Sequence, residues 1–273
     1  MEREMTIRVV MSGATGWVGK ALIPAIVAEP DMQLAGAVAR GAAGWDAGSA
    51  IGLAPIGVDV TATLEEALKG TSDVVVDYTK PVAVKEHALT AISNGRHVMI
   101  GTSGLGAADY AEIDAAARGN GVGVIAAGNF SITATLMKRF ALMAAKYVPD
   151  VEVIDYASAK KPDAPSGTAR ELAEALADIR GASTAKPQSE VSGIPATRGG
   201  AVGEAPGVQV HALRLPSYIL SCEALFGLPD ERLTIRHDAG SSAAPYVGGT
   251  LLAIRHVVKI KGLVRGLDSL IEM

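Results

Sequence analysis

The sequence predicts an α/β protein of two parts, and three observations carry that reading. Up to about residue 128, short β-branched runs alternate with helical stretches, the pattern of successive strand–helix–strand units. A glycine-rich turn follows the first of these strands. Beyond residue 206 the alternation gives way to three strand-like runs joined by short Pro or Gly turns, which predicts an α+β part with a mixed or antiparallel sheet.

Taken in order, strands are expected at residues 7–11, 33–38, 73–77, 97–100 and 121–126. The helix Trp17–Ala28 is apolar on one face and stops before Pro30; Thr63 caps a short helix, and Pro81 opens another that ends at Asn94-Gly95. Ser131 then caps a long helix to about Tyr147, residues 151–156 read as a strand and 168–180 as a helix. Residues 181–206 are rich in Gly, Ser, Thr, Ala and Pro and predict a long loop of the kind that serves as a lid. The runs 207–215, 218–226 and 231–237 predict an antiparallel meander, and 246–261 a helix returning to the first part.

Composition excludes several functions. The net charge is -4 with cations scattered and never more than two adjacent, and aromatics make up 4% of the 273 residues, so neither the charge nor the stacking surface of a nucleic-acid binder is expected. No apolar stretch nears the roughly 18 residues of a spanning helix, so no membrane partner is expected. The run MEREMTIRVVMSG has mixed charges and lacks a secretory leader's apolar core. A single Cys222 offers no internal disulfide and no metal cluster, so a cytoplasmic protein without metal is expected.

Residues 7–19 read IRVVMSGATGWVG: a strand, then Gly13, Gly16 and Gly19, then a helix. Glycines let a backbone turn tightly against a pyrophosphate, and the helix start offers unpaired N–H groups. A Rossmann-like nucleotide-binding domain is therefore predicted, with Thr15, Trp17 and Val18 in the same loop as cofactor contacts. An NAD-specific unit carries an acidic residue about 20 positions past the glycines; here the second strand ends Ala39-Arg40. Without the carboxylate, and with a guanidinium able to grip a 2′-phosphate, NADPH is the expected cofactor and NADH the alternative.

The run KKPDAPSGTA at 160–169 closely resembles the dihydrodipicolinate reductase signature. DYTKP at 77–81, GTSG at 101–104, GNFS at 128–131, VQVHALRLP at 208–216 and LTIRHD at 233–238 follow in that family's order. The resemblance implies hydride transfer from a nicotinamide cofactor to a small cyclic carboxylate of lysine biosynthesis, and a homotetramer assembled through the substrate domain. It implies that Thr79, Gly101, Thr102, Gly104, Asn129 and Phe130 belong to the cofactor site, that Ser166, Gly167 and Thr168 bind a substrate carboxylate, and that Lys161 is catalytic. Residues 1–128 with 246–273 then form the dinucleotide-binding domain, and 129–245 the substrate-binding and oligomerisation domain.

Elementary chemistry agrees with this assignment. Pro165-Ser166-Gly167-Thr168 leads into a helix, so its N–H groups and hydroxyls suit an anion. Lys161, just upstream, can pair with that anion or protonate the reduced product. Lys160 is a second candidate donor, and Arg214 a further candidate for the pocket. Several family groups are replaced: a histidine pair by Ala157 and Ser158, a glycine and a histidine by Ser217 and Ser221, and an arginine is absent from HDAGSSAAPY. A dicarboxylate would leave one charge without a partner, which is costly when buried. The expected substrate is therefore a related small anionic imine or enamine with one carboxylate. The alternatives are authentic 4-hydroxy-tetrahydrodipicolinate reductase and an NADPH-binding sensor without turnover.

Overall fold

The computed structural model describes residues 6–204 and 206–271. Two compact units emerge, one from residues up to Ile132 together with those from Ala243 onward, the other from Thr133–Ser242.

The first unit contains β1 (Ile7–Ser12), α1 (Trp17–Ala28), β2 (Met32–Val38), β3 (Val60–Thr61), α2 (Leu64–Ala67), β4 (Val74–Asp77), α3 (Pro81–Ser93), β5 (His97–Ile100), α4 (Ala107–Asn120) and β6 (Gly123–Ala126). The second contains α5 (Ile132–Ala145), whose first residue belongs to the first unit, then β7 (Val151–Ala157), α6 (Gly167–Ile179), β8 (Gly200–Val202), β9 (Val208–Arg214), β10 (Leu220–Leu228) and β11 (Glu231–Ala239). Then α7 (Ala244–Val257) and β12 (Gly262–Arg265) complete the first unit.

Its sheet is parallel throughout, in the order β12-β6-β5-β4-β1-β2-β3. Side chains alternate across it. Val9 and Met11 join the core formed by α1 and α7, with Leu22, Ile23, Leu251 and Ile254, while Val10 joins the core formed by α2, α3 and α4, with Leu64, Ala88 and Ile113. Burial on both faces accounts for the apolar strands. The strand β12, absent from the sequence-based expectation, pairs with the free edge of β6.

The second unit holds a mixed five-stranded sheet, β11-β10-β7-β9-β8. On α6 the residues Ala169, Leu172, Ala173 and Leu176 form one apolar stripe, packed with Val153, Val210 and Phe226. The expected meander is corrected here: β9 and β10 do not pair with each other, because β7 lies between them, parallel to β9 and antiparallel to β10. The link from Leu215 to Ile219 wraps the end of β7, with Leu215 N–H donating to the Ala157 carbonyl and Ser158 N–H to that of Ile219. The expected loop 181–206 contains two 3-10 turns, Gln188–Glu190 and Pro195–Arg198, besides β8.

Candidate active site

In the first unit the sheet order reverses between β1 and β4, with β2 on one side and β5 on the other. In such sheets ligands bind at the carboxyl ends of the strands flanking that switch point. Both strands end there in loops that the sequence marks out. After β1, Gly13 has a φ of 89°, and a Cβ on it would overlap the Tyr78 carbonyl oxygen. At Gly19 a Cβ would sit 2.6 Å from the Ala14 carbonyl oxygen, so α1 can approach the loop this closely only with glycine. Gly16 is the N-cap of α1 and supplies no side-chain cap. The first-turn N–H groups, those of Trp17 and Val18 among them, are thus left for an acceptor outside the helix. This cradle fits a pyrophosphate. Thr15 is half-buried on the same loop, and exposed Trp17 stands edge-on to Tyr246 at 5.6 Å between ring centres.

After β4, the fully buried Asp77 organises the second loop. Its Oδ1 accepts from Thr79 N–H (3.1 Å), Thr79 Oγ1 (2.8 Å) and Thr102 Oγ1 (2.7 Å), and its Oδ2 faces His87 Nδ1 at 2.8 Å. Thr102 Oγ1 in turn accepts from Thr79 N–H at 2.8 Å. The hydrogen bond to Asp77 raises the His87 pKa above its ordinary 6.5. Thr79 and Thr102 are thereby fastened to one carboxylate, which holds two loops together beside the glycine turn.

A cavity of 170 Å³ opens next to these loops, lined by Trp17, Tyr78, Gly101, Asn129, Phe130 and Tyr246 among others. Tyr78 is pinned by its hydroxyl to Thr250 Oγ1 at 2.9 Å, and burial pushes its pKa up. Gly101 lies directly against the Tyr78 ring, and Gly104, with a φ of 111°, packs over Pro81. Asn129 closes a turn by accepting from Ser131 N–H at 2.8 Å. The Phe130 ring is 1% exposed, so that residue borders the cavity as packing. Arg40 follows β2 with an exposed side chain that makes no hydrogen bond or ion pair among the described residues.

The second unit carries the lysine loop. Lys161 Nζ pairs with Asp163 Oδ1 at 2.7 Å, and this bond lowers the Asp163 pKa. Exposed Lys160 makes no ion pair among the described residues. Ser166 is the N-cap of α6, yet its hydroxyl does not stand free for a ligand. The hydroxyl donates to Asp155 Oδ1 at 2.6 Å and its N–H to Oδ2 at 2.7 Å. Gly167 and Thr168, both half-buried, begin the helix without a side-chain cap from Ser166, so their N–H groups are the ones open to an anion. Arg214 reaches the same carboxylate, Nη2 to Oδ2 at 2.8 Å, and also the Asp163 carbonyl at 2.8 Å.

Where the family has histidines, Ala157 is fully buried at the end of β7 and Ser158 Oγ accepts from Lys160 N–H at 3.4 Å. Buried Ser221 faces Tyr156 and Asp238 across neighbouring strands. Asp77, Tyr78, His87, Asp155 and the role of Arg214 escaped the sequence reading. A signal existed for the two acids: each ends an apolar run, VVVD and VEVID, and a carboxylate in a buried strand requires partners. Among the described residues no His, Cys, Asp and Glu cluster suits a metal ion, and no helix is long and apolar enough to cross a membrane.

Comparison with known proteins agrees over both units. Residues 7–130 match the family model "Dihydrodipicolinate reductase, N-terminus", and residues 133–271 match "Dihydrodipicolinate reductase, C-terminus". The 4-hydroxy-tetrahydrodipicolinate reductase of Desulfitobacterium hafniense (strain DSM 10664 / DCB-2) is 40% identical, covering 97% of this chain and 99% of that protein. That of Trichormus variabilis is 36% identical over 99% and 100%. The structure of dipicolinate-bound dihydrodipicolinate reductase from Paenisporosarcina sp. TG-14 superposes with a TM-score of 0.83 at 32% identity, covering 98% of this chain and 100% of that one. With a parallel nucleotide-binding sheet, a glycine cradle and family matches along nearly its whole length, this chain belongs to the dihydrodipicolinate reductase family of NAD(P)H-dependent oxidoreductases.

Proposed function

We propose that this chain uses NADPH to reduce a small cyclic imine or enamine bearing one carboxylate. One observation carries the substrate class. At the lysine loop Lys161 and the N-terminus of α6 can receive an anion, while the neighbouring guanidinium of Arg214 is already engaged by Asp155. The cofactor, held by Gly13, Thr15, Gly16, Trp17, Val18 and Gly19 and by the Thr79, Gly101–Gly104 and Asn129–Phe130 segments, supplies the hydride. Gly167 and Thr168 receive the carboxylate, Ser166 braces their turn, and Lys161 pairs with the anion or delivers the proton, with Lys160 beside it.

A second reading, authentic 4-hydroxy-tetrahydrodipicolinate reductase, is favoured by the 40% identity to a protein of that name along nearly the whole chain. An NADPH-oxidation assay over cyclic imine carboxylates separates the two readings. The proposal expects a higher kcat/KM for a monocarboxylate than for hydroxy-tetrahydrodipicolinate; the reverse order establishes the second reading. NADPH binding without turnover of any compound would leave the sensor alternative.

Arg40 is the proposed 2′-phosphate partner. A charge-assisted bond contributes about 1.5–3 kcal/mol, so NADPH should bind at least about tenfold more tightly than NADH, and Arg40→Ala should shrink the difference. Equal dissociation constants in the parent protein would contradict this assignment.

A homotetramer assembled through the sheet of the second unit is also inferred, since its outer strand β11 leaves an edge to be covered. Light scattering that returns a monomer would overturn it. A cytoplasmic setting accords with the single buried thiol of Cys222, pushed up to about 12 by desolvation; recovery in a secreted fraction would contradict it.

A further inference from the structure

We propose that Asp155 is a positioning residue, whose buried carboxylate sets the geometry of the turn linking Lys161 to the Gly167–Thr168 anion site. The inference rests on the function proposed above and assigns a role to a residue outside the signature run.

Asp155 lies on β7 with no solvent exposure. Three donors converge on it: Ser166 N–H at 2.7 Å, Ser166 Oγ at 2.6 Å and Arg214 Nη2 at 2.8 Å. The same Nη2 donates to the Asp163 carbonyl, so both ends of the Asp163–Ser166 turn are fastened to one ion pair. That pair bridges adjacent strands, since β7 and β9 run side by side with Ala157 opposite Arg214. The turn is therefore referenced to β7 and β9, interior strands of the second unit's sheet. On one side of it stands Lys161, tied by its N–H to the Ser158 carbonyl at 2.9 Å; on the other begins α6.

Stability alone is a poor account of this arrangement. A buried ion pair contributes little net, because desolvation offsets most of its attraction, and apolar residues of similar volume often do as well. What the carboxylate adds is direction. It consumes both donors of Ser166 and leaves the N–H groups of Gly167 and Thr168 pointing past the helix end. An anion site loses much of its effect when its donors shift by about 1 Å.

The test compares parent, Asp155→Asn and Ser166→Ala on whichever imine carboxylate the parent reduces, with folded sites counted by NADPH binding. Asn keeps the side chain's shape but removes the charge that pairs with Arg214, and its amide N–H would turn the Ser166 hydroxyl from donor to acceptor. The expected result is a KM at least tenfold higher per folded site in Asp155→Asn, a smaller rise in Ser166→Ala, and NADPH dissociation constants within twofold of the parent. If turnover falls only in proportion to the folded fraction, with KM unchanged, Asp155 is merely structural and the inference is wrong while the proposed function stands. A parent that reduces none of the compounds defeats the proposed function, and this inference falls with it.

Discussion

Replacing Lys161 with Ala is expected to lower kcat by roughly 10²- to 10⁴-fold, the usual contribution of a positioned proton donor, while NADPH affinity stays unchanged. Hydride addition to an imine or a conjugated system leaves electron density that must be protonated, and the histidines that the family places nearby are Ala157 and Ser158 here. Lys161 stands at the head of the loop leading to α6, on a side chain 29% exposed and anchored to Asp163. The competing role is neutralisation of the substrate carboxylate, which predicts a raised KM with little change in kcat. Steady-state constants on the preferred substrate separate the two. A variant that keeps both kcat and KM would show that Lys161 does neither.

Asp77→Ala should be the most damaging single change in the first unit. It removes the acceptor shared by Thr79 N–H, Thr79 Oγ1 and Thr102 Oγ1 and leaves His87 Nδ1 only the more distant Ser12 hydroxyl, at 3.3 Å. Buried donors left unsatisfied cost on the order of 1–3 kcal/mol each. Two loops of the proposed cofactor site lose their common anchor at the same time, so NADPH binding should weaken along with the urea midpoint. Denaturation curves within about 0.5 kcal/mol of the parent, the range of an ordinary surface substitution, would show that this network is not what holds the loops.

Local rules made much of the fold legible. The strand 97–100 and the helix Trp17–Ala28 stand where β-branched runs and a one-sided apolar stripe placed them. What escaped is decided by partners distant in the chain. The four residues of β12 carry no alternation of their own; the unpaired edge of β6 makes them a strand. The neighbours β9 and β10 look like a hairpin in sequence, yet each pairs with β7, which precedes both by some fifty residues or more. The glycine cradle was readable because Gly16 and Gly19 answer backbone atoms of their own loop, at Gly13 and Ala14, although Gly13 itself answers the distant Tyr78 carbonyl. The environment of Ser166 was not, since cap residues commonly serve their own helix and its partner Asp155 lies back on β7.

Because α7 belongs to the first unit yet lies late in the chain, that unit can be completed only after the second has left the ribosome. Val9, Met11, Val74, Val76, Met99 and Ile125 share their core with Leu251, Ala253, Ile254 and Val257. Until those late residues emerge, one face of the nascent parallel sheet has only α1 to shield it. The segment Thr133–Ser242, continuous and with its own core, can meanwhile fold to completion. The nucleotide-binding half is thus begun first and finished last, and its exposed apolar face is the surface a chaperone would meet during synthesis.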